Sequence, residues 1–289
     1  MNRLLSALAL WAVSLSSAPA QELKLPNKKD SFHFAVIGDS GTGGSAQFAV
    51  AKQMEIYRKL FPYEVVVMMG DNLYGGQAPS DFSKKFELPY APLLKDGVKF
   101  YATLGNHDSP NQRFYKNFNM DGKRFYSFKP REDVRFFVLD SNYMSKEQLD
   151  WLEKEMASAT SGWKIAYFHH PLYSSGDRHG PSVELRKVVE PILLRNNISL
   201  VLAGHEHFYE RIKPQKGVPY FIVGSSAKLR KDNIQKSEIT AVGNARDNVF
   251  MICEIDKDVL SFQVISKSGA TIDSGTITRP SSANVTSGK

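Results

Sequence analysis

Apolar residues in this chain fall into short, dense runs separated by polar turns. The runs lie at Phe32–Ile37, Glu64–Met69, Lys99–Thr103, Arg135–Leu139, Lys164–Phe168, Ser199–Leu202, Tyr220–Val223, Val249–Ile255 and Leu260–Ser266. Most are near-continuous and rich in Val, Ile, Phe and Tyr, which predicts strands buried on both faces. Between several of them the period lengthens to that of a helix. Ser45 is placed to cap a helix running toward Leu60, with Ala49, Val50, Met54 and Tyr57 on one face. Ser145 and Gln148 have capping-box spacing ahead of Leu149, Leu152 and Met156. A third helical stretch opens near Ser182 and is expected to break at Pro191, whose ring would clash with the preceding turn.

Strand–helix alternation followed by a strand-rich end predicts an α/β fold: a two-sheet β-sandwich flanked by helices, in four layers α/β/β/α. No internal repeat or interdomain linker interrupts it. Residues 1–20 have the form of a signal peptide, with Arg3, an apolar core from Leu4 to Leu15, and Ala18-Pro19-Ala20 as a cleavage site. That core is shorter than the ~20 residues that span a bilayer as a helix. The expectation is a secreted or periplasmic protein with no membrane association after cleavage. A single catalytic domain is expected over 21–279, and the Ser-, Asn- and Gly-rich stretch 280–289 is expected to be a disordered tail.

Composition narrows the function classes. Cys253 is the only cysteine, so no intramolecular disulfide can form, and its apolar surroundings make it a buried small hydrophobe. The net charge of +7 is scattered. Lys28-Lys29, Lys84-Lys85 and Lys228 with Arg230-Lys231 read as solvated surface, with a small attraction for anionic substrates. No arginine-rich block interleaved with aromatics suggests a nucleic-acid groove, so no nucleic acid is expected as a stable partner.

The chemistry is concentrated where the apolar runs end. Five segments follow strands: Gly38-Asp39-Ser40-Gly41, Gly70-Asp71-Asn72-Leu73-Tyr74, Gly105-Asn106-His107-Asp108, His169-His170-Pro171 and Gly204-His205-Glu206-His207. Five of the chain's seven histidines lie inside them; His179 follows the fourth closely, and His33 stands apart in an edge-like strand. In α/β sheets ligands bind outside the carboxyl ends of strands, so five strands could deliver donors to one rim. Imidazoles and carboxylates gathered there are the material of a two-metal hydrolytic centre. In extended backbone His205 and His207 face the same way. The pair His169-His170 leaves open which ring turns inward.

In this order the segments resemble the metallophosphoesterase (calcineurin-like phosphoesterase) superfamily, and within it the purple acid phosphatases, from about Phe32 to Ser266. Tyr74 is the discriminating residue, since other metallophosphoesterases lack a tyrosine there and begin with Asp-x-His rather than Asp39-Ser40-Gly41. The resemblance implies a dinuclear centre of Fe(III) plus a divalent ion (Fe, Zn or Mn). Asp39, Asp71, Tyr74 and His207 would hold one ion. Asp71, Asn106, His169 and His205 would hold the other. Phenolate and carboxylate suit the trivalent ion, and imidazole with an amide oxygen suits the divalent one. His107 and His179 would act on the substrate, His170 would support a ligand from behind or line the pocket, and His33 would have no catalytic role.

The activity implied is hydrolysis of small phosphate monoesters by a metal-bound hydroxide. A phosphodiesterase of the same superfamily, or a non-enzymatic metal- or phosphate-binding protein, is the alternative. The segment from Asp140 to Ser145 is short where mammalian-type relatives carry a long covering loop, so regulation by loop cleavage is not expected. Residues His205 to Arg211 look more like the plant-type enzymes.

Overall fold

The computed structural model describes residues 22–159 and 162–279. The leader expected over 1–20 and the tail expected over 280–289 lie outside the described residues. The first half of the chain alternates strand and helix: β1 (Phe32–Ile37), α1 (Ser45–Leu60), β2 (Val65–Met68), α2 (Pro79–Phe82), α3 (Ala91–Lys95) and β3 (Lys99–Ala102). The middle carries β4 (Tyr126–Arg131), β5 (Val134–Val138), α4 (Lys146–Ala157), β6 (Trp163–Tyr167), α5 (Val183–Arg195) and β7 (Leu200–Ala203). Six strands finish it: β8 (Tyr209–Gln215), β9 (Val218–Val223), β10 (Thr240–Asn244), β11 (Val249–Asp256), β12 (Val259–Ser266) and β13 (Thr271–Thr278).

These strands pair into two sheets. The six-stranded sheet has the order β13-β12-β11-β1-β2-β3, and the seven-stranded sheet has the order β10-β8-β9-β7-β6-β5-β4. β1, β2 and β3 are mutually parallel, as are β5, β6, β7 and β9. Side-chain alternation with period two sorts the second sheet into two faces. Phe136, Val138, Ile165, Tyr167, Leu200, Leu202, Phe221 and Val223 join the core against the first sheet. Phe137, Leu139, Ala166, Phe168 and Val201 join a second cluster with Leu152 and Met156 of α4 and Val189, Ile192 and Leu193 of α5. On the far side, Val50, Met54 and Tyr57 of α1 cover the first sheet. Edge-to-face pairs Phe34–Phe136 (5.4 Å) and Phe221–Phe262 (5.0 Å) cross between the sheets. The four-layer sandwich expected from the sequence is the fold.

Four local expectations are corrected. β1 lies between β11 and β2, so His33 is on an interior strand; its ring stacks on Phe61 at 4.0 Å. The first helix is capped at Gly44, not Ser45, and Gln47 accepts a hydrogen bond from the Gly43 N–H at 2.7 Å. α5 runs through Pro191 to Arg195, because burial of Val189, Ile192 and Leu193 outweighs the lost backbone hydrogen bond. Gln148 fulfils half of its capping box. Its N–H donates to Ser145 Oγ (3.2 Å), but its amide turns away to Asp140 and Tyr143, tying the segment that follows β5 to α4.

Candidate metal centre

All five chemistry-bearing segments begin at the carboxyl ends of parallel strands, β1, β2 and β3 of one sheet and β6 and β7 of the other. The two rims meet because glycines leave room for atoms of the opposite rim. At Gly70 (φ +86) a Cβ would lie 2.7 Å from His169 Nδ1 and 2.8 Å from Gly105 N. At Gly204 it would lie 2.6 Å from an Asp39 carboxylate oxygen. Asp39, Asp71 and His205 all sit in the left-handed region, at φ 53, 51 and 68. Non-glycine residues held there store strain of about 1–3 kcal/mol each, and such strain gathers at functional sites. The His205 N–H donates to Asp39 Oδ2 (2.9 Å), joining the two sheets at this point.

Two triangles of donor atoms result. Asp39 Oδ1, Tyr74 Oη and His207 Nε2 are separated by 3.1, 3.1 and 3.4 Å. Asn106 Oδ1, His169 Nε2 and His205 Nδ1 are separated by 3.0, 3.0 and 3.2 Å. Asp71 stands between them. Its carboxylate groups with Asp39 and His207, and its Oδ1 lies 3.5 Å from His169 Nε2.

The donor set fits cations. His169 Nδ1 faces the Met69 carbonyl at 2.8 Å, and a carbonyl only accepts, so Nδ1 carries the proton. Nε2 is then a lone pair directed at another acceptor, Asn106 Oδ1, an arrangement that a shared metal ion would resolve. Burial disfavours charge on five of the donors. It raises Asp39, helped by Asp71, raises Tyr74, helped by Asp39 and Asp71, and lowers His169 and His205. Burial, with Arg230 next, brings His207 down to about 4. Neutral imidazoles are ready ligands, and a cation reverses the penalty on the acids.

The remaining expected residues also come to the rim. His107 donates its backbone N–H to Asp71 Oδ1 (3.0 Å), and its ring lies 4.9 Å from that of Tyr74. His179, on an exposed loop, places its ring 4.4 Å from that of His205. His170 is half-buried, faces Ser141 Oγ at 2.8 Å, and lies within ligand reach of His169 and His205. A cleft of about 460 Å³ opens beside Asn106 and His170, walled by Arg124, Asp140, Asn142 and Tyr143.

Three contributions escaped the sequence reading. Asp108 receives hydrogen bonds from the N–H groups of Asn72, Leu73 and Gly105 and the side-chain amides of Asn72 and Gln112, at 2.8–3.0 Å. Burial, then the Asp71 charge, pushes it up to about 7. Glu206 is fully buried and accepts from the Gly180 N–H (2.7 Å) and Asn233 (3.2 Å), fixing the loop that bears His179. Asp108 was visible inside the Gly-Asn-His-Asp segment, and Glu206 as a charge between two histidines. Finally, Lys228 and Arg230 are not solvated surface as expected. Lys228 Nζ lies 4.6 Å above the Tyr74 ring, and Arg230 is partly buried against Glu206.

A four-layer sandwich carrying paired oxygen and nitrogen donors along the ends of its parallel strands is the architecture of a metal-dependent phosphoesterase. Residues 32–209 match the family model described as calcineurin-like phosphoesterase, and the chain belongs to that family. It is a hydrolase similar to the purple acid phosphatases. It is 26% identical over 251 residues to tartrate-resistant acid phosphatase type 5 of Homo sapiens, covering 71% of this chain and 77% of that protein. It is 30% identical over 256 residues to purple acid phosphatase 3 of Arabidopsis thaliana, covering 75% and 69%. Among solved structures, GAP50, the anchor in the inner membrane complex of Plasmodium, shares the fold with a TM-score of 0.77 at 20% identity, over 87% of this chain and 90% of that one. No helix among the described residues is long and apolar enough to cross a membrane.

Proposed function

We propose that the protein is an exported acid phosphatase that hydrolyses small phosphate monoesters at a dinuclear Fe(III)–M(II) centre. The observation that carries this reading is the pair of donor triangles flanking Asp71, one of which contains Tyr74. Asp39, Asp71, Tyr74 and His207 would hold Fe(III); Asp71, Asn106, His169 and His205 would hold iron, zinc or manganese as the divalent ion. When bound, the ions would supply a water acidic enough to be deprotonated at acidic or neutral pH, and positive charge for the phosphoryl oxygens. The chain itself must orient the ester and manage protons. Its exposed imidazoles flank the donors, His107 beside Tyr74 and His179 beside His205. Burial, then Arg230 and Arg178, holds His179 below the usual imidazole range, which suits a neutral ring hydrogen-bonding the ester. Either ring, His107 or His179, is placed to give a proton to the leaving oxygen.

The test is metal analysis, a visible spectrum and turnover of p-nitrophenyl phosphate by the purified protein. One iron per second metal, a purple tyrosinate band lost in Tyr74→Phe, and turnover lost in Asp71→Ala are expected. A colourless protein with two divalent ions would overturn the Fe(III) assignment. Faster hydrolysis of bis(p-nitrophenyl) phosphate than of the monoester would make it a diesterase.

A further inference from the structure

The loop after β9 crosses the rim of the candidate metal centre. Three backbone hydrogen bonds fasten it there: Ser226 N–H to Gly38 O (3.1 Å), Lys228 N–H to Asp39 O (3.1 Å) and Arg230 N–H to His207 O (2.9 Å). Two of those carbonyls belong to residues whose side chains form the Tyr74 triangle. The Lys228 and Arg230 side chains are thereby delivered to fixed positions rather than to open solvent.

Lys228 is unpaired and Arg230 is loosely held. Lys228 Nζ rests over the face of Tyr74, and among the described residues it has no carboxylate within ion-pair distance. Arg230 Nη1 is buried with no hydrogen-bond partner, its closest carboxylate oxygen being Glu206 Oε2 at 3.7 Å. The Arg230 side chain is otherwise partly exposed, so the guanidinium keeps donors that an anion arriving in the site can meet. Arg178 adds a third positive charge beside His179.

Building on the proposed phosphatase reading, we propose that Lys228 and Arg230 form an anion subsite beside the dinuclear centre. It would take phosphate monoesters whose leaving group bears a further negative charge, a carboxylate or a second phosphoryl group. The reaction is ordinary hydrolysis: water oxygen bonds to phosphorus, the phosphorus–ester oxygen bond breaks, and the leaving alkoxide takes a proton. The subsite acts only on the charge of what leaves.

The test uses two esters of similar size and opposite appended charge, phosphoglycolate and phosphoethanolamine, with the metal-loaded full chain. The kcat/KM ratio is expected to favour phosphoglycolate by about tenfold. In Lys228→Met and in Arg230→Gln it should fall toward one with metal content unchanged, and in Lys228→Met, which breaks no ion pair, Tm should be unchanged as well. Neither substitution touches the backbone bonds that fasten the loop. A ratio near one in the unsubstituted enzyme, or one unmoved in both variants, overturns the subsite. Equal loss on both esters would make the pair positioning residues and overturn it too. A shifted tyrosinate band in Lys228→Met with an unchanged ratio would mean that this lysine only tunes Tyr74, again overturning it. No turnover of p-nitrophenyl phosphate by the unsubstituted enzyme would instead refute the phosphatase reading itself.

Discussion

Asp108 faces no donor triangle, yet the site depends on it. Its carboxylate gathers N–H groups from the turn after β2, the turn after β3 and Gln112. Those two turns carry Asp71, Tyr74 and Asn106. Asp108→Ala leaves several donors without an acceptor, at about 1–3 kcal/mol for each that stays dry. Urea unfolding should therefore show a loss of roughly 3 kcal/mol, and turnover should fall at least 100-fold as the turns separate. Unchanged urea midpoint and turnover would refute this anchoring role. The contrast with Tyr74 explains what was legible. Candidate metal ligands come from a few residue types, so the strand-end segments holding Asp39, Asp71, Tyr74, Asn106, His169, His205 and His207 stood out together, and a family resemblance supplied their grouping. Asp108 and Glu206 stand inside those segments, but the N–H groups and amides that they accept from leave no mark in the sequence. Lys228 and Arg230 were misread because their placement depends on three backbone bonds to distant segments.

At the scale of elements, strands that read as apolar runs were legible, the edge strand β3 included, and strands that mix polar residues were not. β1, β2, β6, β7, β11 and β12 are near-continuous apolar runs, and their positions follow from composition alone. β4, β10 and β13 lie at sheet edges, and β8 lies next to one; each mixes polar residues, Gly or Pro into the run. Their pairing is imposed by neighbours. α5 makes the same point in reverse. Pro191 is exposed on a helix whose opposite face is buried, so the proline contributes no packing that burial requires. It removes the N–H that would bond the Lys187 carbonyl. Pro191→Ala should therefore stabilise the chain by about 1–3 kcal/mol without changing kcat/KM, measured by urea unfolding and turnover. A lower urea midpoint would show that the ring is needed where it stands.

For the whole molecule, the decisive arrangement is that each donor triangle draws on both sheets. Asp39, Asp71, Tyr74 and Asn106 follow strands of the six-stranded sheet; His169, His205 and His207 follow strands of the seven-stranded sheet. Ions bound between them would act as cross-links between the sheets, in a chain whose lone cysteine permits no intramolecular disulfide. Without ions, the site holds buried acids and imidazoles whose burial opposes ionisation. An ion that binds only the folded state, present at a thousand times its dissociation constant, adds about 4 kcal/mol. Reduction and chelation should accordingly lower Tm by several degrees, and reloading with iron and zinc should restore it. Asp71→Asn separates this linkage from a general effect of chelator, because it weakens the carboxylate that stands between both triangles while keeping the side chain's shape. In that variant the gap between chelated and reloaded Tm should shrink by more than half, a change read by calorimetry and independent of turnover. Equal Tm for chelated and reloaded unsubstituted protein would mean that the sheets dock without help from the ions, and that the rim is built by packing alone.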